Sequence, residues 1–270
     1  MNFYETITAA VADIEAHGYD SQARIDDWVR KIEIAGRASL LPESTMREAL
    51  NRTMQRVYTR LVERGHILAQ HKGVEFFKLD RVKPKLRAEL DRRIMASAQL
   101  IRLNREEAIA KTLQRFSGWS TSIPAGGSGA IDKPEVKADL KKALKSLPFQ
   151  ERRVLIDQGH KFTAALNHIV AVGSGAIAAQ WSSHWRQPGY DYREDHKERD
   201  GKIFLIRGNW AQDAGLCKPG PDGYADQITA PGEEVFCRCA NVFIYSPAGL
   251  PPEMLTALGR DKLAAIRKTR

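Results

Sequence analysis

The chain has 270 residues, 43% hydrophobic and 28% charged, and a net charge of +9. That length buries one large core or two modest ones, and the composition is that of a globular protein rather than a disordered tail. The longest weakly polar run, residues 169–180, is about half of what a bilayer crossing needs, so no membrane is expected among the partners. The start, Met1-Asn2-Phe3-Tyr4-Glu5, lacks the cationic-then-apolar order of a secretory leader. A chain made and folded in the cytosol is the expectation.

Residues 4–17 place Ile7, Val11 and Ile14 at helical spacing and stop at Gly18. Ile25, Trp28, Val29 and Ile32 give a second amphipathic stretch. Pro42-Glu43-Ser44 opens a third, lined by Met46, Leu50, Met54, Val57, Leu61 and Val62 as far as Gly65. Residues 74–79 read as a short strand or an extended connector. A long helix is predicted over 84–116, with Pro84 in its first turn, where a missing N–H costs nothing. Residues 81–115 hold ten Lys/Arg against four Asp/Glu. Four glycines and a proline between Ser117 and Gly129 predict a Gly/Ser linker over 119–131, separating a helical domain 1–118 from a second domain 132–270.

Beyond it, Val136, Leu140, Leu144 and Leu147 form one helical stripe and Lys133, Lys137, Lys141 and Lys145 another. Four ammonium groups in a row are suited to a phosphate backbone, although a solvated helix face has the same pattern. Residues 149–172 predict a further helix. After Gln180 the pattern becomes strand-like: residues 181–185, 202–206, 235–236 and 242–245 are strand candidates. They are separated by Pro219-Gly220-Pro221, Asp222-Gly223 and Pro231-Gly232, which favour turns. The tail, 252–270, closes in a basic helix. The fold class expected is α+β, a mostly helical N-terminal body followed by a smaller domain of helix and antiparallel sheet.

All three cysteines, Cys217, Cys237 and Cys239, fall within 23 residues of this loop-rich region. With His196 they supply the donor set of a closed Cys₃His structural zinc site, and a bound Zn²⁺ would fasten three loops and add folding free energy. A disulfide from Cys217 to Cys237 or Cys239, formed after release from the cell, and three free thiols are the competing readings. His184 is a second candidate imidazole, set between Trp181 and Trp185.

Arg193-Glu194-Asp195-His196-Lys197-Glu198-Arg199-Asp200-Gly201 resembles the R-x-x-H-x-x-x-D-G pattern of phage Mu F-like head morphogenesis proteins. Cys237-Arg238-Cys239 resembles the C-R-C that ends the same domain, and the helix from Ile156 to Asn167 is similar to the one preceding it. The likeness spans roughly residues 140–245. Pro231 stands six residues before Cys237 instead of next to the cysteine pair, and the loop around Pro219-Gly220-Pro221 is enlarged. The resemblance implies a minor head protein, assembled in host cytoplasm and enclosed in the virion. Its partners would be the portal protein and packaged double-stranded DNA bound without sequence preference, with scaffold or major capsid protein as further candidates. Lys133, Lys137, Lys141, Lys145, Arg92, Arg93 and Arg102 are the DNA-contact candidates.

Other functions find less in the residues. A metal-dependent nuclease would centre on His196 and Asp200, with Asp195 and Glu198 near by. A DNA-binding regulator would use the helix opened by Ser44, with Arg52, Arg56 and Arg60 on one face. Cys217 lacks the neighbours that lower a thiol pKa, and neither a phosphate-binding G-x-x-x-x-G-K-[ST] loop nor a dinucleotide G-x-G-x-x-G turn occurs.

Overall fold

The computed structural model describes residues 1–128 and 133–268; the Lys133 side chain lies outside the described residues. The fold is α+β, helix-rich, with one three-stranded antiparallel sheet. The helices are α1 (Phe3–His17), α2 (Gln22–Ala38), α3 (Glu43–Tyr58), α4 (Phe76–Ser120) and α5 (Lys133–Gly173). Then follow β1 (Ala178–Ser182), α6 (Glu194–Glu198), β2 (Ile203–Leu205), α7 (Trp210–Asp213), β3 (Ala240–Ile244) and α8 (Ala257–Lys268).

Two compact units result, and neither is continuous in sequence: Met1–Asn51 with Ile94–Leu155, and Arg52–Arg93 with Ile156–Arg270. In the first, a capping box starts α1. The Asn2 side chain accepts from the Glu5 N–H at 3.0 Å, and the Glu5 carboxylate accepts from the Asn2 N–H at 2.9 Å. Phe3, Ile7, Val11 and Ile14 pack with Ile25 and Ile32 of α2, Ile109 and Phe116 of α4, and Leu140, Leu144 and Leu147 of α5. This core explains why the predicted boundaries at 118 and 132 do not delimit the units: both sides of the linker feed one cluster. Trp119 and Ser120 belong to α4. The next residues lie against the end of α1, where Gly126 N–H bonds His17 O and Ser128 N–H bonds Glu15 O. Gly18 must be glycine, since a Cβ there would stand 1.7 Å from Pro124 O at a φ of 69°.

Both long helices run further than their prolines suggest. α4 begins at Phe76, so residues 76–79 are helical rather than strand, and Pro84 sits inside it; α5 passes through Pro148. Each proline removes one N–H from the ladder, and the buried rows on either side, Leu79, Val82, Leu86 and Leu90 in α4, hold the helix together.

In the second unit β1 is the central strand, antiparallel to both neighbours in the order β2-β1-β3. It pairs Ala179 with Phe204 on one side and with Phe243 on the other. The strand candidate at 235–236 is instead a tight turn, in which Phe236 is the one non-glycine residue of positive φ among the described residues (60°). Ile177, Leu205, Ala211, Leu250 and Leu255 form one small core, and Trp181, Phe204, Cys237 and Cys239 a second.

Candidate metal centre

The second of these cores contains the chemistry. His196, in the one-and-a-half-turn helix α6, is 2% exposed. Its ring meets Trp181 edge-on, with centroids 5.2 Å apart. Its Nδ1 lies 3.6 Å from Cys237 Sγ and 3.5 Å from Cys239 Sγ. A tetrahedral zinc with bonds of about 2.3 Å to sulfur and about 2.05 Å to nitrogen sets each S···N edge at about 3.6 Å. His196, Cys237 and Cys239 thus form a buried group able to hold a metal ion.

Each residue of the recognisable pattern has a place in the site. Arg193 clamps the loop before the cysteines, with Nε 2.6 Å from Glu234 Oε2 and Nη2 donating to Val235 O at 3.0 Å. Asp200 accepts from the Ser183 N–H at 2.8 Å and from Trp185 Nε1 at 3.0 Å. These bonds, the Ser183 one first, hold its carboxyl below the usual range. Gly201 completes that turn at a φ of 82°, as the Asp-Gly pair implies. Asp200 thereby positions the exit of β1, whose Ser183 Oγ lies 3.8 Å from Cys239 Sγ.

The two thiols are unequal. Cys237 receives a hydrogen bond from the Cys239 thiol, and the Gly232 N–H points at its sulfur from 3.4 Å; both favour the thiolate, and His196 beside it adds to the effect. Its pKa is depressed, while that of Cys239, holding the shared proton next to a developing charge, is raised. One thiolate and one thiol side by side are readily converted to two thiolates by a cation.

Cys217 does not join them. Thr256 N–H bonds Leu216 O and Lys218 N–H bonds Met254 O, pinning the segment to 254–256. The Cys217 side chain therefore packs with Ile177, Leu205 and Leu255, 3.8 Å from Asn209 Oδ1. Burial raises its pKa, as expected of an inert thiol. The expected Cys₃His set is corrected to Cys₂His, and His184 is exposed and outside the group. All three cysteines are free, so the disulfide reading is not what the structure contains.

Around the triad stand Glu234, Asp157 and Tyr190, which the sequence did not single out, and Asp195, which it did. His196 Nε2 is buried without a hydrogen-bond partner. It points toward Glu234 Oε1 at 3.6 Å and Asp195 Oδ2 at 3.9 Å. Asp157, on α5, accepts from the Phe236 N–H at 2.6 Å, and Tyr190 accepts from the Arg238 N–H at 3.2 Å. They fix the turn on both sides of Cys237. Glu234 could have been suspected from standing three residues before a cysteine; Asp157 and Tyr190 bear no local signal. The carboxylates proposed for a nuclease do not converge: Asp195 bonds Arg199 at 2.7 Å, both oxygens of Asp200 are engaged, and Glu198 is in neither metal-capable group.

The DNA-contact candidates fall in both units. Arg92 and Arg93 both bond Glu89, at 2.7 Å and 2.9 Å, and Arg93 reaches Gln158 as well. The shared Glu89 carboxylate offsets one of their two positive charges. Arg102 is exposed and bonds Gln99. Lys145 is exposed and Lys137 half-buried. Lys141 lies over the Tyr4 ring at 5.2 Å, and burial, aided by Lys137, lowers its pKa. Among the described residues, no helix is long and apolar enough to cross a membrane. Compared with known protein families, curated proteins and solved structures, the chain matches none.

Proposed function

We propose that the protein is a minor head protein of tailed-phage type, similar to the Mu F-like morphogenesis proteins. In this reading its second unit is closed by one structural zinc ion on His196, Cys237 and Cys239. The observation that carries it is the fit of His196 Nδ1 between the two sulfurs, at 3.6 Å and 3.5 Å. The residues that meet there are the ones the family resemblance selects, from segments about forty residues apart. The ion would fasten α6 and the loop before β3 to the exit of β1, where the apolar clusters are small. Portal binding and enclosure with the genome follow from the resemblance.

Metal analysis of the purified protein tests the site: about one zinc per chain is expected for the wild type and a large loss for Cys237→Ser. Capture by the portal protein of the same phage tests the assembly role. A wild-type protein that takes no zinc, or one that no portal retains, overturns the corresponding half.

A further inference from the structure

The net charge of +9 is not spread along the chain. Residues 52–93 contain twelve Lys/Arg and five Asp/Glu, a net of +7 in 42 residues. These residues form one of the two segments of the second unit. Part of that charge is locally compensated: Lys83 pairs with Asp80, Arg87 with Asp91, and Arg92 and Arg93 with Glu89. Arg56, Arg60, Arg64, Lys78, Arg81 and Lys85 take part in no ion pair among the described residues, and all but the half-buried Lys78 are exposed.

Arg56, Arg60 and Arg64 stand four residues apart. In an unbroken α-helix such a row drifts around the axis by about 40° per step. Here the helix passes into a π turn at Thr59–Glu63. Its i-to-i+5 bonds place an extra residue in the turn and work against that drift. The Arg56–Arg64 row rises about 12 Å, over which one strand of a duplex presents about three or four phosphates. Lys78, Arg81 and Lys85, at i, i+3 and i+7 near the start of α4, form a second row of the same kind.

We propose that residues 52–93, through the Arg56–Arg60–Arg64 row and the Lys78–Arg81–Lys85 row, are a binding surface for the phosphate backbone of double-stranded nucleic acid, read without base specificity. Guanidinium and ammonium groups without internal partners are the donors that such contacts use. The uncompensated charge makes binding a counterion-release process, steep in salt. This assigns the DNA contact to residues other than Lys137, Lys141 and Lys145, which belong to the first unit. It adds a surface to the assembly role and rests only on its DNA partner, so metal content and portal capture can fail or succeed independently of it.

The test is the salt dependence of binding to a mixed-sequence 30-bp duplex, with circular dichroism confirming each variant's fold. Arg56→Ala/Arg60→Ala/Arg64→Ala is expected to weaken binding about tenfold or more at low salt and to flatten the log–log salt slope by about 2.7, at about 0.9 per phosphate contact. The same three positions changed to Lys should keep most of the slope, which a merely structural defect would not restore. Lys78→Ala/Arg81→Ala/Lys85→Ala should flatten it similarly, and Lys137→Ala/Lys141→Ala/Lys145→Ala should leave it unchanged. The inference is overturned by no duplex binding at 50 mM salt, by an unaltered slope in the two row variants, or by tighter binding to single-stranded DNA or polyglutamate than to duplex.

Discussion

Glu234 stands 3.6 Å from the one nitrogen of His196 that has no hydrogen-bond partner. Arg193 holds its other oxygen at 2.6 Å. When an imidazole binds metal through one nitrogen, the N–H on the other is normally received by a carboxylate that fixes the ring. Glu234→Ala should therefore weaken zinc affinity by about 10- to 100-fold, measured by competition with a chromophoric chelator. Glu234→Gln, which can still accept the bond, should weaken it less. Equal affinities in all three proteins would remove Glu234 from the site. His71 presents a different case, wholly structural. It is buried, with Nδ1 2.6 Å from the Tyr245 hydroxyl and Nε2 2.9 Å from Asn167 Oδ1. Since an amide oxygen only accepts, the proton is on Nε2 and Tyr245 donates to Nδ1, a neutral ring. Burial, only partly offset by Asn167, holds its pKa below the usual value. As the pH falls below about 6.5, the unfolded chain binds a proton that the folded one declines. Stability complete at neutral pH should thus decline on acidification. The melting temperature of His71→Gln should depend less on pH between 7 and 5; parallel curves would exclude His71 as the cause. His196, Cys237 and Cys239 were legible in the sequence because their types and clustering are chemical signals. His71, Glu234 and Asp157 were not, because what matters in each is a partner far along the chain.

At the scale of elements, the turn at Phe236 is the part of the site under most backbone strain. A phenylalanine at a φ of 60° costs on the order of 1 kcal/mol. The Asp157 carboxylate on α5, its other oxygen 3.2 Å from Lys161, compensates by holding the Phe236 N–H. Asp157→Ala removes that acceptor and should destabilise the protein by about 1–3 kcal/mol, seen in urea unfolding; a change within error would mean that the turn holds itself. Helical periodicity gives α1 close to its observed limits, with a clear stop at Gly18, while for α2 it gives the apolar stripe from Ile25 to Ile32 and not the ends at Gln22 and Ala38. It misses the helices that run through a proline. Pro84 suits a helix start and Pro148 a break between two helices, yet tertiary burial on both sides outweighs one lost hydrogen bond. The apolar, β-prone pair Val235 and Phe236 has the pattern of a strand, but Asp157 holds it as a turn.

For the whole molecule, the arrangement of units departs most from what local composition indicates. A glycine-rich stretch resembles a boundary, but here it joins two helices that share a core containing Phe116 on one side and Leu140 on the other. Fragments 1–118 and 132–270, expressed separately, should lack the circular dichroism and cooperative melting of the intact protein; two independently melting fragments would restore the linker as a boundary. The cluster composition is legible in a sequence only once the fold has brought its members together.

The discontinuity also bears on how the chain acquires its structure during synthesis. Neither unit can be completed from the first hundred residues. The earlier unit waits for Leu155 and the later one for the C-terminal region. At about 5–20 residues per second, the nascent polypeptide would leave Phe3, Ile7 and Ile14 without their α5 partners for several seconds on the ribosome. The first unit can close only once Leu155 has been made, and a chaperone that shields apolar helices would have its main opportunity in that interval.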